Sequence, residues 1–187
     1  MLRDRALQRI VRTAIGFAVG LAFWAGFTAP YASALAALTE PIVRAFESRA
    51  VTRLEAAGKE IVIDRSDLAA RSAKPAIATG ELSVNVILLV ALFASNTRWW
   101  SNRNVAGAAM AVLLLLPVHV AALIVNIESI YALRMGPWSD ANYGAFERNL
   151  WGTAAHFYSF VGAIATAFIL WWALSEKPIS RQLVPDR

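Results

Sequence analysis

Long apolar runs separated by short polar stretches organise this chain. Four runs are long enough to cross a hydrocarbon layer of about 30 Å, which takes ~20 helical residues. The first runs from Thr13 to Leu38 and holds Ile15, Phe17, Val19, Leu21, Phe23, Trp24 and Phe27, with Pro30 late in it. The second, Gly80 to Thr97, is the shortest. The third runs from Val105 to Ile127 and contains Pro117, and the fourth from Gly152 to Leu174. In lipid every backbone polar group must be satisfied within its own segment, so all four read as helices. The pattern predicts an all-α membrane protein of four transmembrane helices, with a small extracytoplasmic insert, Thr39 to Thr79, between the first two.

That insert is longer than a simple connector needs to be. Pro41 suits the first turn of a helix, and Ile42, Phe46 and Ala50 recur at spacing four, which predicts a short amphipathic helix on the membrane surface. Val51–Glu55 and Glu60–Asp64, joined across Ala-Ala-Gly-Lys, read as a small β-hairpin. The alternative continues the helix to Ala57 with Gly58 as its C-terminal cap. Arg65 to Ala78 is polar and is expected to be loose. The second outer loop, Glu128 to Leu150, carries turn signals at Gly136-Pro137 and Asn142-Tyr143-Gly144.

Composition agrees with a membrane protein: 58% of the 187 residues are hydrophobic, and the mean hydropathy is +0.49. The net charge of +5 does not indicate nucleic acid, because the basic residues flank apolar runs and no interleaved aromatic motif accompanies them. The N-terminal tail, the loop between the second and third helices and the C-terminal tail hold nine of the 18 basic residues but only three of the 13 acidic ones. Basic flanks stay in the cytoplasm, so both termini are expected there, in a multi-pass protein of the bacterial inner membrane. Five of the seven Trp agree with these spans. Trp99, Trp100, Trp171 and Trp172 mark the inner ends and Trp151 an outer one, at the headgroup level that indole rings favour. Ala32-Ser33-Ala34 resembles a signal-peptidase site. The apolar stretch before it, Thr13 to Ala29, is longer than the ~7–15 residues of a signal-peptide core, so an uncleaved helix is expected.

Polar residues inside a membrane are expensive and are the first place to look for chemistry. Glu81 and Asn85 lie one turn apart near the outer end of the second helix. His119 lies in the outer half of the third, Asn126 two turns further on, and Glu128 at its end. His156 lies about one turn inside the fourth, so the two histidines are expected to face each other in the outer leaflet. One reading is a proton-sensitive or metal-binding cluster of His119, His156, Glu81 and Glu128. The other is interhelical hydrogen bonding that fixes how the helices pack. The second is preferred, because no HExxH or comparable ligand spacing occurs. No catalytic residue, resident metal or cofactor is expected. Gly16 and Gly20 form a GxxxG for close helix packing. The absence of cysteine excludes disulfides and thiol catalysis, and no Walker loop or GxSxG occurs.

The Arg-rich start before FAVGLAFWAGFTAPYASALAAL, the hairpin-like LEAAGKEIVID, ELSVNVILLVALFAS, LLLLPVHVAALIVNI with Pro117, and the closing WGTAAHFYSFVGAI together resemble the small membrane proteins associated with exosortases, specifically those of the exosortase H type. Exosortases themselves use a membrane-embedded Cys with Arg and His, and this chain has no Cys. The resemblance therefore implies a non-enzymatic accessory of a protein-sorting transpeptidase, with the lipid bilayer and an exosortase as partners. It carries over no site residues. The rival expectation is a small membrane enzyme or ion-coupled protein using the histidine cluster.

Overall fold

The computed structural model describes residues 2–47, 51–66 and 74–175, and the side chains from residue 6 onward. Its elements are α1 (Leu2–Phe46), β1 (Thr52–Ala57), β2 (Glu60–Arg65), β3 (Ala76–Ala78), α2 (Thr79–Ser83), α3 (Asn85–Ala94), α4 (Asn102–Arg134), α5 (Pro137–Asn142), α6 (Ala145–Phe157), a π-helical turn (Tyr158–Gly162) and α7 (Ala163–Leu174). Among the described residues three helical stretches are long and apolar enough to cross a membrane: Ala6–Phe46, Asn102–Arg134 and Ala145–Leu174. The α2–α3 stretch, Thr79–Ala94, is apolar but shorter.

No separate surface helix begins at Pro41. α1 continues through Pro30 and Pro41 to Phe46, and Ala50 lies outside the described residues. Each proline removes one backbone donor and crowds the carbonyl four residues back. The helix persists because its outer half is clamped from the side, with Leu35, Ala36 and Val43 buried in one core with Leu54, Ile61 and Ile63 of the sheet. Ala32-Ser33-Ala34 lies inside this unbroken helix, with Ala32 fully buried.

The hairpin reading holds, and the continued-helix alternative does not. β1 and β2 pair antiparallel with Leu54 opposite Ile63 and Ala56 opposite Ile61. Alternation turns Thr52, Leu54, Ile61 and Ile63 inward and leaves Arg53, Glu55 and Glu60 outside. The two-residue turn needs a positive φ at its first position, which Gly58 supplies at +65° without a Cβ clash. A third strand, unexpected in the stretch read as loose, pairs with β2 through Ala76–Ala78, while 67–73 lie outside the described residues. β1 is an edge strand. Two of its amides are answered by carboxylates: Glu40 of α1 accepts from Leu54 N at 3.0 Å, and Glu47, just past the end of α1, from Thr52 N at 3.1 Å. Carboxylates seated on these amides blunt the edge against pairing with another chain.

α2–α3 run antiparallel to α1. Gly80 meets Trp24, Gly20 meets Ile87 and Val90, and Gly16 meets Ala94. A Cβ on Gly20 would stand 3.1 Å from the Ile87 Cα, so this glycine seam serves packing within the chain. Gly20→Ile is therefore expected to cost about 1–3 kcal/mol through overpacking. Gly26→Ala, at a position with nothing within 4 Å, is expected to be neutral or slightly stabilising. Thermal denaturation of the detergent-solubilised protein measures both, and equal behaviour of the two variants would refute the seam. α4 then runs back from Gly107, beside Phe93 and Leu174, to the level of the sheet, and α6 returns with Gly152 against Leu133.

Two apolar clusters stack along the molecule. One joins the outer parts of α1 and α4 to the sheet. The other, with Leu89, Phe93, Ala111, Leu115 and Ala167, fills the inner half around α3. The helix expected over Gly80–Thr97 starts at Thr79, is interrupted at Val84 and ends at Ala94. Those expected over Val105–Ile127 and Gly152–Leu174 both extend outward, to Arg134 and from Ala145. Between them Gly136, at φ +61°, and Tyr143-Gly144 flank α5 at the expected turn positions.

Candidate functional site

Four polar side chains from four segments form a hub around His119. Tyr31 comes from α1, Asn85 from α3, His119 from α4 and Tyr158 from the π-turn. The Tyr31 hydroxyl stands 2.6 Å from His119 Nδ1, and His119 Nε2 stands 2.9 Å from Asn85 Oδ1. A neutral imidazole with its proton on Nε2 satisfies both contacts: Nε2–H donates to Asn85, and Nδ1 accepts from Tyr31. The rings of Tyr31 and His119 meet edge to face at 5.7 Å. His119 is fully buried and Asn85 nearly so. The Asn85 Nδ2 has no hydrogen-bond partner, but its side chain faces Tyr158. The Tyr158 hydroxyl donates to the Leu82 carbonyl at 3.0 Å. Tyr158 reaches inward from a π-turn, a local widening that re-aims a side chain relative to a regular helix.

A narrow cleft of about 70 Å³ lies beside this hub, between α1 and α4 over the start of α3. Phe23, Trp24, Phe27 and Val112 give it apolar walls, with Tyr31, Thr28 and Ser83 at its polar side. The hydroxyls there are already engaged. Thr28 donates to the Trp24 carbonyl, and Ser83 donates to the Thr79 carbonyl while accepting from the Trp24 indole.

A second polar cluster holds the sheet against the outer helix ends. The Arg65 guanidinium carbon sits 4.6 Å from the centre of the Tyr131 ring and 4.5 Å from that of Trp138. Arg65 Nη1 pairs with Glu47 Oε1 at 3.3 Å, with both side chains nearly out of solvent. Glu47 also accepts from the Thr52 hydroxyl, and Thr52 Oγ1 meets the Tyr131 hydroxyl at 2.7 Å. Tyr143 donates to Glu128 at 2.8 Å. Burial and the neighbouring Glu128 carboxylate push the Tyr143 hydroxyl well above its ordinary range, so it stays protonated as that donor. At the inner end Arg12 reaches the Thr97 carbonyl at 3.1 Å, and Asn104 donates to the Phe93 and Trp99 carbonyls.

Only part of the expected polar cluster is assembled. Asn85 and His119 meet. Asn126 bonds the Ala122 carbonyl of its own helix at 2.8 Å, and Glu128 faces Tyr143. Glu81 is exposed although Asn85 is buried. The chain tightens at Val84, where Ile87 N bonds Val84 O at 3.1 Å, and three-residue periodicity turns positions four apart onto different faces. The histidines do not face each other. His156 is exposed, bonded to the Gly152 carbonyl and beside Phe160. It precedes Tyr158 by two residues, about 200° around the helix, so Tyr158 facing in turns His156 out. Among the described residues no group of three His, Asp or Glu side chains is placed to hold a metal. Tyr31, Tyr158, Arg65 and Trp138 were not anticipated. Tyr31, a phenol just after Pro30 inside an apolar run, was the one with a readable signal.

Comparison with protein-family models, with curated proteins and with solved structures finds no match to this chain.

Proposed function

We propose that this chain is a four-crossing protein of the bacterial inner membrane and a non-enzymatic accessory subunit. Its outer cap would contact a membrane partner of the exosortase class, the protein-sorting transpeptidases to which the sequence layout points. The observation that carries the reading is the build of the outer end. The sheet has an inward face locked to α1, and its outward side chains, Arg53 and Glu55 among them, are left exposed on a fixed frame. The polar groups best suited to chemistry, His119 and Arg65, are engaged with other elements of the same chain.

Four crossings are supported by connectivity. α1 at Arg12 and the turn leading into α4 meet at the Arg12–Thr97 contact, and both helices reach the sheet, which supports a return of the chain between them through α2–α3. The stretch Thr79–Ala94 covers about 24 Å at a helical rise of ~1.5 Å per residue. The seven-residue turn that follows adds to this, and neighbouring helices shield α3, with Leu89, Ala91 and Phe93 buried. The basic inner flanks support cytoplasmic termini. A periplasm-active reporter joined after Lys59 is expected to be active and one joined after Arg187 inactive. The reverse pattern overturns the orientation.

Photo-crosslinking residues placed at Arg53 and Glu55 of the full chain, in its native membrane, are expected to capture one discrete membrane protein. Capture of none, together with substrate turnover by the pure protein, would overturn the accessory reading.

A further inference from the structure

The outer part of the molecule has two sides that meet across a shared apolar core. The sheet lies along α1, and Glu40 of α1 and Glu47 just beyond it hold two of its edge amides. Opposite it, α4 packs on α5 and α6. α1, the sheet and α4 share one apolar core here, and polar side chains of the sheet add contacts to the α4–α5 corner. Thr52 reaches the Tyr131 hydroxyl. Arg65 enters the corner made by Tyr131 and Trp138, whose rings meet edge to face at 5.9 Å and 72°.

That corner suits one kind of cation. A guanidinium is flat, weakly hydrated and able to contact both rings while still donating to a carboxylate, here Glu47. An ammonium is a compact, strongly hydrated point charge that cannot stack. Arg65 is also the last residue of β2, the strand that pairs with β3. β3 pairs with the opposite end of β2, with Ala78 beside Glu60, and leads directly into α2.

We propose that Arg65 is a guanidinium-specific clasp. When it is withdrawn, the sheet and the outer end of α1 part from the α4–α5 corner as a unit. The inner helices stay packed through the Gly16–Gly20 seam and the His119 hub. The clasp would therefore set how firmly the cap is held, and it does not depend on the identity of any partner.

Hydrogen–deuterium exchange on the full chain in detergent micelles tests this. Arg65→Ala is expected to speed exchange about tenfold or more in 52–65 and 137–142, while 85–94 and 104–115 keep the parent rate. Methylguanidine at millimolar concentration is expected to restore protection to R65A, and Arg65→Lys is expected to behave like R65A. If R65A does not accumulate, Trp138→Leu removes one wall while keeping the Arg65–Glu47 pair, and is expected to loosen the same two segments. Unchanged exchange in R65A overturns the clasp. So does an equal acceleration in every helix, which would mark Arg65 as an ordinary contributor to global stability. Full protection in R65K overturns its guanidinium specificity.

Discussion

Replacing His119 with alanine is expected to cost about 2–4 kcal/mol of stability, one of the two largest single-residue losses in this protein. The side chain is fully buried and bonds two different helices. Its removal leaves the Tyr31 hydroxyl and the Asn85 amide without a partner, in a medium that offers no water to replace it. Hydrogen bonds between membrane helices average only ~0.6 kcal/mol and reach ~1.7, so two average bonds fall short of the lower figure and two strong ones exceed it. The two orphaned groups and the cavity give the upper one. Asn85→Ala is expected to cost less, because it also removes the Nδ2 donor that has no partner of its own. His156→Ala is expected to leave stability unchanged, since its ring is exposed and bonds only its own helix. Denaturation of each variant in mixed micelles checks the order. A His119→Ala protein as stable as the parent would show that the hub does not hold the helices together. If His119→Ala is destabilised but retains cellular function at normal protein levels, the proton- or metal-dependent alternative also fails.

What could be read from the sequence follows the physics of each signal. Apolar run length located the helices, because a bilayer sets a minimum length. It placed the helix ends less well. α1, α4 and α6 continue past the expected limits, since their outer turns pack on the sheet and on one another and need no unbroken hydrophobic run. The β-hairpin was legible from alternation and from Gly58. β3 was not, because three residues, Ala76–Ala78, give alternation too little to work on. The glycine seam was readable as close packing, and Ala94 and Ile87 are its neighbours. For the polar cluster, depth along a helix was legible but rotation was not. His156 and His119 were placed at similar depths, and a π-turn together with a tightened turn at Val84 decided which side chains face inward. Both are irregularities of helix geometry that residue spacing does not encode. Arg65 was hidden for another reason. Its partners Glu47, Tyr131 and Trp138 come from three separate elements, so only the folded chain brings them together.

Glu47→Ala is expected to be at least as damaging as loss of His119, at about 3–5 kcal/mol, because it takes a carboxylate away from a buried guanidinium. Glu47 receives the Arg65 guanidinium, the Thr52 amide and the Thr52 hydroxyl together. The pair is only 8% and 13% exposed at Arg65 and Glu47, so water cannot readily take over for the missing carboxylate. Glu47→Gln keeps an acceptor for Thr52 but not the countercharge, and is expected to fall between the parent and Glu47→Ala. Breaking one partner of a buried ion pair differs from removing the pair, since an apolar replacement of both leaves no charge to strand. The double variant Glu47→Leu with Arg65→Met is therefore expected to be more stable than Glu47→Ala alone, although it forfeits the guanidinium stacking. A double-mutant cycle on thermal denaturation in micelles measures the coupling. Additive losses, with the double variant the least stable of all, would show that the charges act independently and that the sheet is held to the helices by its apolar face alone.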